Sequence, residues 1–317
     1  MNFGLIIVGD EILSGKRQDK HLPKVIELLA ARGLALAWAR YVGDDRTLIT
    51  QALCHAVASG DAVFCCGGIG ATPDDHTRQC AAAALGVPLE LHPEAKALIT
   101  QRMQDQAVEK GVAFDPDAPD NIHRLNMGVF PAGAQIIPNP YNKIPGFTLG
   151  QVHFVPGFPV MAHPMIEALL DSRYRTLHGT LREAERSVIV YGAMEATLTP
   201  LMEAIEREHG GVRVFSLPSV DHPVHGRHIE LGVKGDEALL PAAYATLRAG
   251  LAALGAQPGP DLVREAAAIS PELVPASALY WGFASVRTAS SRAPAVGMLS
   301  ATFACAFFTF PPIQKTR

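Results

Sequence analysis

The chain has 317 residues, 48% of them apolar and 18% charged, with a formal net charge of −4. That length allows one large domain with a smaller one attached, and the composition supports a sizeable core. The charge balance, with no run rich in Lys or Arg, points away from nucleic acid as a partner.

The apolar run Phe3–Val8 ends in Gly9-Asp10-Glu11 and reads as a strand buried on both faces. Leu22, Val25, Ile26, Leu29 and Ala30 then recur at helical spacing until Gly33. Leu34–Val42 predicts a second strand, closing in Gly43-Asp44-Asp45. Asp45 is placed to cap a helix with Leu48, Ile49, Ala52, Leu53, Ala56 and Val57 on its buried face. Ala62–Cys66 predicts a third strand, which enters the loop Gly67-Gly68-Ile69-Gly70. The segment from Asp74 reads as a helix closed by Gly86. Strands alternating with helices imply right-handed βαβ units in a doubly wound, mostly parallel sheet.

Pro93–Lys110 predicts a further helix. Pro116–Gly146 is rich in Pro, Asn and Gly and long for a connection, so it reads as a functional loop carrying short strands. Gln151–Pro159 reads as a strand leaving through a Pro-Gly turn, and a helix over Ala162–Leu170 closes a first domain, residues 1–172. The pattern then shifts to a small β-α-β-β-α unit, residues 173–255, with strands in "RSVIVYG", "GVRVFSLPS" and "HIELGVKG". After Gly255 the periodicity fails, and residues 256–317 read as a poorly specified tail.

No C-x-x-C pair occurs among the five cysteines, so neither a zinc ribbon nor a thioredoxin-like site is indicated. Adjacent Cys65 and Cys66 would point to opposite faces of a strand and read as buried small hydrophobes. The odd count, with no leader, predicts a reducing cytoplasm. Val296–Phe310 is apolar but shorter than the ~18–20 residues needed to span a bilayer, so no membrane partner is expected. "GDEILSGK" has five residues between its glycines and Arg after Lys, which breaks the Walker A pattern. "GGIG" is not a dinucleotide fingerprint, and no G-x-S-x-G elbow occurs. His222, His225 and His228 lie in a stretch that Pro223 and Gly226 keep from being helical, which favours a turn with locally bonded histidines over a metal site.

Ligands of open parallel sheets bind beyond the carboxyl ends of the strands. Three strand ends here carry matching chemistry: Asp10-Glu11, Asp44-Asp45, and the glycine loop followed by Asp74-Asp75. Consecutive loop amides can hold phosphate oxygens. Neighbouring carboxylates would repel a phosphate unless a cation such as Mg²⁺ stands between them. The predicted ligand is therefore a phosphorylated small molecule with a divalent metal.

The motifs "VGDEILSGK", "VGDD", "GGIGATPDDHT" and "PGFP", in that order, resemble the MoaB/Mog molybdopterin-binding domain, and most nearly the version that opens CinA-type proteins. The resemblance covers about residues 1–170, and residues 187–254 look like the middle domain of such proteins. It implies a three-layer α/β/α sandwich. It also implies Gly67, Gly68, Gly70 and Thr72 as the phosphate loop, Asp75 and Asp44 as catalytic and metal-holding acids, and Asp10 and Glu11 as pocket lining. Asn121, Arg124, Asn139 and Gly146 match positions bordering the pocket. Three positions depart from the family: "RQDKH" replaces the usual Asn-Thr-Asn, "NKI" precedes "PGF", and Met161 replaces a glutamate. The deamidase domain of full-length CinA has no counterpart in this sequence, so nicotinamide mononucleotide deamidation is not expected. The resemblance leaves three readings open: metal-dependent hydrolysis of a dinucleotide pyrophosphate such as ADP-ribose, molybdopterin binding or adenylyl transfer in molybdenum-cofactor synthesis, and non-catalytic ligand binding. It also implies a homo-oligomer.

Overall fold

The computed structural model describes residues 1–179 and 183–264. The apolar stretch 296–310, Cys305 and most of the predicted tail lie outside them. In chain order the first sheet region contains β1 (Phe3–Val8), α1 (Asp10–Leu13), α2 (His21–Ala30), β2 (Leu36–Val42), α3 (Arg46–Ser59), β3 (Ala62–Cys66) and α4 (Thr77–Leu85). Then follow β4 (Leu89–Leu91), α5 (Pro93–Glu109), α6 (Pro119–Leu125), β5 (Val129–Pro131), β6 (Gln135–Ile137), β7 (Gly146–Leu149), β8 (Val152–Val155) and α7 (Pro159–Ser172).

Six strands form one sheet in the order β2-β1-β3-β8-β7-β6. β2, β1, β3 and β8 run parallel, and β7 and β6 return antiparallel. Alternation along β1 and β3 supplies two cores. Ile6, Val8, Val63 and Cys65 meet Ile49, Leu53, Cys80 and Ala81 from α3 and α4. Leu5, Ile7, Phe64 and Cys66 meet Val25 and Leu29 from α2 and Met165 and Ile166 from α7. The two adjacent cysteines thus serve opposite faces of a three-layer α/β/α sandwich, and both are free thiols. Asp45 caps α3, accepting from the Leu48 amide at 2.9 Å.

One boundary differs from the sequence reading. The helix expected from Asp74 begins at Thr77. Asp75 instead closes a turn, its amide donating to the Thr72 carbonyl at 3.0 Å and its carboxylate accepting from the Thr72 amide at 2.8 Å. A carboxylate that bonds local backbone in this way competes with helix formation.

A second sheet follows, built from β9 (Glu183–Tyr191), β10 (Val212–His222), β11 (Gly226–Asp236) and β12 (Gln257–Arg264), with α8 (Glu195–Glu208) and α9 (Leu240–Ala253). Its order is β10-β11-β9-β12, all antiparallel, the split βαβ arrangement. Leu198, Ile205, Leu247 and Leu251 pack on Val188, Val190, Leu231 and Val233. The stretch read as a poorly specified tail from residue 256 opens with a strand, because Gln257–Arg264 pairs with β9 at the sheet edge. Its prolines, Pro258 and Pro260, disguise it, yet an edge position tolerates them because an outward-facing N–H is not needed. Gly259 lies under the Tyr191 ring, where an added Cβ would come within 2.6 Å of the ring. No helix among the described residues is long and apolar enough to cross a membrane.

Candidate functional site

The carboxyl ends of β2, β1, β3 and β8 lie side by side, and the sequence places acids on the first two and glycines on the last two. Asp10 and Asp44 lock the ends of β1 and β2 reciprocally. The Asp10 amide donates to Asp44 Oδ2 at 2.9 Å, and the Asp44 amide to Asp10 Oδ1 at 3.1 Å. Gly43 makes room for this exchange, since a Cβ there would sit 2.5 Å from Asp10 Oδ1. Burial holds the Asp44 carboxyl above its ordinary range; the Asp10 amide opposes that, and the negative charges of Asp10, Glu11 and Asp74 add to it. The acid cluster at this edge is therefore Asp10, Glu11, Asp44 and Asp74.

The glycine loop is fixed from beneath. The Gly67 amide donates to the Val155 carbonyl at 3.0 Å, joining β3 to β8. Gly67 has φ +104°, and an added Cβ would lie 2.3 Å from the Val8 carbonyl oxygen. Gly157 approaches from the other side, its Cβ direction 3.3 Å from Gly67 Cα. Thr77 anchors the loop to α4, its hydroxyl donating to the Gly67 carbonyl and its amide to the Gly68 carbonyl, both at 3.0 Å. The amides of Gly68, Ile69 and Gly70 donate to no other group among the described residues. Gly68 and Gly70 are half-buried, so the loop is open to a ligand.

Asp75, paired with Asp44 in the sequence reading, takes a different place. Its Oδ2 accepts from both the amide and the hydroxyl of Thr72, at 2.8 and 2.5 Å. An added Cβ at Gly70 would lie 2.6 Å from that same oxygen. The positive group acting with Asp75 is Arg78. Asp75 and Thr72 thus shape the loop, while Asp74 is the member of the Asp-Asp pair that acts on Asp44.

Beside the loop lies a cavity of about 410 Å³ whose lining includes Arg46, Thr72, Asp75, His76, Arg78 and His123. Arg78 is only 5% exposed. It donates from Nη2 to the Gly70 carbonyl at 2.7 Å and from Nη1 to the Asn126 carbonyl, and its buried Nε has no partner. Desolvation lowers its pKa, with Asp75 opposing. Arg46 Nε donates to His76 Nδ1 at 3.2 Å, and His123 Nε2 lies 3.1 Å from the Ala71 carbonyl. The sequence reading passed over Arg46 and Arg78. One signal was available: Arg78 stands on the same helical stripe as Ala81 and Ala82, so its charge had to meet a buried acceptor.

Four positions expected at the pocket border are placed as follows. Asn121 donates to the Asp115 carbonyl at 2.7 Å, and Arg124 to Gln106 Oε1 at 3.0 Å, while their neighbour His123 lines the cavity instead. Asn139 is buried and organises its own turn, donating to Asn142 Oδ1 and the Ile144 carbonyl and accepting from the Tyr141 amide. Gly146 permits close packing of β7 on β8, for a Cβ there would lie 2.3 Å from the Phe154 carbonyl oxygen. None of the four lines either cavity: Asn121 and Asn139 are held by local bonds, Arg124 by the Gln106 side chain and Gly146 by sheet packing. Met161, at the position of the missing glutamate, accepts from Asn142 Nδ2 at 3.6 Å.

A second cavity, of about 300 Å³, lies on the α2 side and is lined by residues that include Glu11, Arg17, Lys20, His21, Cys66 and Gly157. Among the described residues no group of three or more His, Cys, Asp or Glu side chains is arranged to hold a metal ion. His222, His225 and His228 gather at the β10–β11 turn with ring centroids 5.0–5.6 Å apart; His228 Nδ1 lies 2.9 Å from the Gly226 carbonyl, and His225 Nδ1 3.1 Å from the Tyr191 hydroxyl of β9. His222 Nδ1 accepts from the Val224 and His225 amides, at 3.2 and 3.1 Å.

A sandwich with glycines and acids at the parallel strand ends is the architecture of a small-molecule binding domain. The family described as "probable molybdopterin binding domain" matches residues 4–178, and the chain belongs to that family. A CinA-like protein of Anaeromyxobacter dehalogenans is 35% identical over 164 residues, covering 50% of this chain and 38% of that protein. The chain therefore spans well under two thirds of the length of that relative. A protein of Pyrobaculum aerophilum is 27% identical over 232 residues, 71% of this chain and 84% of its own length. Among solved structures, CinA of Thermoplasma acidophilum, described there as of unknown function, is 27% identical with a TM-score of 0.46, covering 54% of this chain and 98% of that one.

Proposed function

We propose that the loop Gly67–Gly70 and the cluster Asp10, Glu11, Asp44 and Asp74 bind the phosphate part of a nucleotide or pterin. The observation carrying this is a loop of three unengaged amides at the end of β3, next to the strand ends that bear the four carboxylates, with Arg46 and Arg78 lining the cavity beside the loop. The amides and cations suit phosphate oxygens. The carboxylates suit a divalent ion that arrives with the phosphate, since Mg²⁺ is commonly held by one or two carboxylates together with substrate phosphates. Among the described residues the side chains alone offer no complete metal cage, and no chemical step is assigned to an ion. Asp44 carries the strongest case for a direct role, being half-buried, raised in pKa and bordered by other acids.

The reaction we favour is hydrolysis of a dinucleotide pyrophosphate such as ADP-ribose. The second reading, molybdopterin binding or adenylyl transfer in molybdenum-cofactor synthesis, draws its support from the family to which the chain belongs. Thermal-shift titrations with ADP-ribose and with molybdopterin, each with and without Mg²⁺, separate the two. Stabilisation by ADP-ribose that requires Mg²⁺, with AMP released on incubation, supports the first. Stabilisation by molybdopterin alone supports the second. Stabilisation by neither would defeat both.

A further inference from the structure

The turn that joins β10 to β11 is held by a side chain as much as by its ladder. Past the pair Ser219–His228 the register shifts, leaving Val220 and Asp221 opposite Arg227 alone, and pairing resumes only at His222–Gly226. Within the turn, His222 Nδ1 accepts from the Val224 amide at 3.2 Å and from the His225 amide at 3.1 Å. An amide N–H can only donate, so Nδ1 offers a lone pair and the proton of the neutral ring sits on Nε2. The next proton the ring takes up therefore goes to Nδ1, the atom that holds both amides. In the cation three N–H groups would converge on one another there, so both bonds must break.

The surrounding groups leave that choice of atom unchanged. His225 stacks on His222 with centroids 5.0 Å apart, and His228 stands edge-on to both. The other charged or titratable groups at this end of the sheet are Asp221 and Arg227 on the hairpin and Tyr191 on β9. Farther along β11, Glu230 accepts from Ser187 Oγ at 2.7 Å. Asp221 favours a cation at His222, while Arg227 and the two other imidazoles, once protonated, oppose it. Among the described residues neither amide has a second acceptor. His222 is exposed, so protons reach the ring without any unfolding. Histidine is also the side chain whose ordinary titration falls in the physiological pH range.

We infer that the β10–β11 turn is an acid-operated latch: neutral His222 fastens the Val224 and His225 amides, and protonation at Nδ1 frees the tip, residues 220–227. The closed turn excludes the proton that the open turn accepts, so the latch is present above the histidine range and lost as pH falls through it. The tip carries Val220 and Val224, both exposed, and its remaining side-chain tie to the rest of the sheet is His225 to the Tyr191 hydroxyl. Acidification therefore converts the end of the hairpin from a fixed to a mobile element while the strands beneath it stay paired. The latch uses neither the strand-end acids nor the glycine loop, so it stands apart from the ligand-binding reading above.

The experiment uses the full chain at pH 8 and pH 5. At pH 8, nitrogen-15 spectra should show His222 with Nδ1 unprotonated and Nε2 protonated, and couplings across the hydrogen bonds from the Val224 and His225 amides to Nδ1. At pH 5 those couplings should vanish. The protection of the two amides against solvent exchange, taken relative to the free-peptide rate at each pH, should fall about tenfold in step with titration of the His222 ring. The Val188 and Leu231 amides, in the strands beneath, should keep their protection. His222→Asn, whose carbonyl accepts but does not titrate, should protect both turn amides at either pH, and His222→Phe should leave them unprotected at both. His225→Gln removes the neighbouring imidazole but keeps its backbone amide, so the pH dependence should persist, which separates the latch from repulsion among the rings. A proton on Nδ1 at pH 8, protection unchanged at pH 5, a pH dependence that survives His222→Phe or disappears in His225→Gln, or loss of protection at Leu231 along with the turn would overturn the inference.

Discussion

His153 lies at the centre of β8, the strand that delivers Gly157 to the site, and its acid titration offers a quantitative check on the packing. The residue is 0% exposed. Its Nδ1 lies 2.8 Å from Thr148 Oγ1 and its Nε2 2.5 Å from the Tyr174 hydroxyl, which in turn donates to Gln151 Oε1 at 2.9 Å. Burial, with a smaller push from Arg173, lowers its pKa from 6.5 to about 3. The unfolded chain therefore takes up a proton first, and the stability contributed by the neutral ring is intact above pH 6.5 and lost as pH falls toward 3. Each pH unit in that window removes about 1.36 kcal/mol, so roughly 2 kcal/mol is gone by pH 5. His153→Leu removes the titration but strands the buried Thr148 hydroxyl, at about 1–3 kcal/mol, while Tyr174 keeps its bond to Gln151. Urea unfolding at pH 7.5, 6 and 5 should show the variant clearly weaker at pH 7.5 and the gap narrowing by about 2 kcal/mol at pH 5. Carboxylates titrating in the same range cancel between the two proteins. A gap independent of pH would refute the reasoning, because it would mean that His153 protonates as freely in the fold as in the unfolded chain.

Gly67→Ala should destabilise by roughly 2–4 kcal/mol in chemical denaturation, since it combines a left-handed φ with a backbone clash at the Val8 carbonyl. Gly70→Ala meets only the Asp75 carboxylate and should cost about 1 kcal/mol or less, while greatly weakening Mg²⁺-dependent binding of ADP-ribose in a thermal-shift assay. Asp44→Asn removes a carboxylate whose raised pKa marks its ionised form as unfavourable in the fold. The penalty from that charge is absent below the unfolded pKa and sets in as pH rises through the folded one, so the melting temperature of the variant should gain on the native chain at pH 7 relative to pH 4, while Mg²⁺-dependent binding is lost. Fragment 1–179 should unfold cooperatively by itself, as measured by circular dichroism; non-cooperative melting would argue against a domain boundary near residues 173–183.

The parallel sheet was legible because its strands are buried on both faces. Phe3–Val8 and Ala62–Cys66 are uninterrupted apolar runs whose ends match the observed strands. Gly86 marked the end of α4, taking the left-handed conformation at φ +65°. Elsewhere the deciding interactions leave little trace in a local pattern. β12 was missed because an edge strand with two prolines lacks alternation, and its order comes from pairing with β9, a contact some seventy residues away in sequence. The start of α4 was misjudged because Asp-Asp before a helical pattern looks like a charged first turn. The Thr72–Asp75 lock that displaces it depends on the tight path of the glycine loop.

The same distinction governs the site. Residue types at strand ends could be read, since topology alone brings the ends of β1, β2 and β3 together. Side-chain partners could not, and they reverse the roles of neighbouring acids. Asp75 looked like the partner of Asp44 by motif, yet its carboxylate is engaged by Thr72, while Asp74 contributes to the charge that raises Asp44. This gives the pair opposite mutational signatures. Asp75→Asn keeps one acceptor for Thr72 and should loosen the loop, an effect seen in stability and in binding together. Asp74→Asn leaves the Thr72–Asp75 lock in place and relieves Asp44 of one like charge, so it should lower the Asp44 pKa. Titrating the Asp44 carboxyl by carbon-13 spectroscopy in both variants decides between the assignments. A larger downward shift in Asp75→Asn than in Asp74→Asn would return Asp75 to the acid cluster.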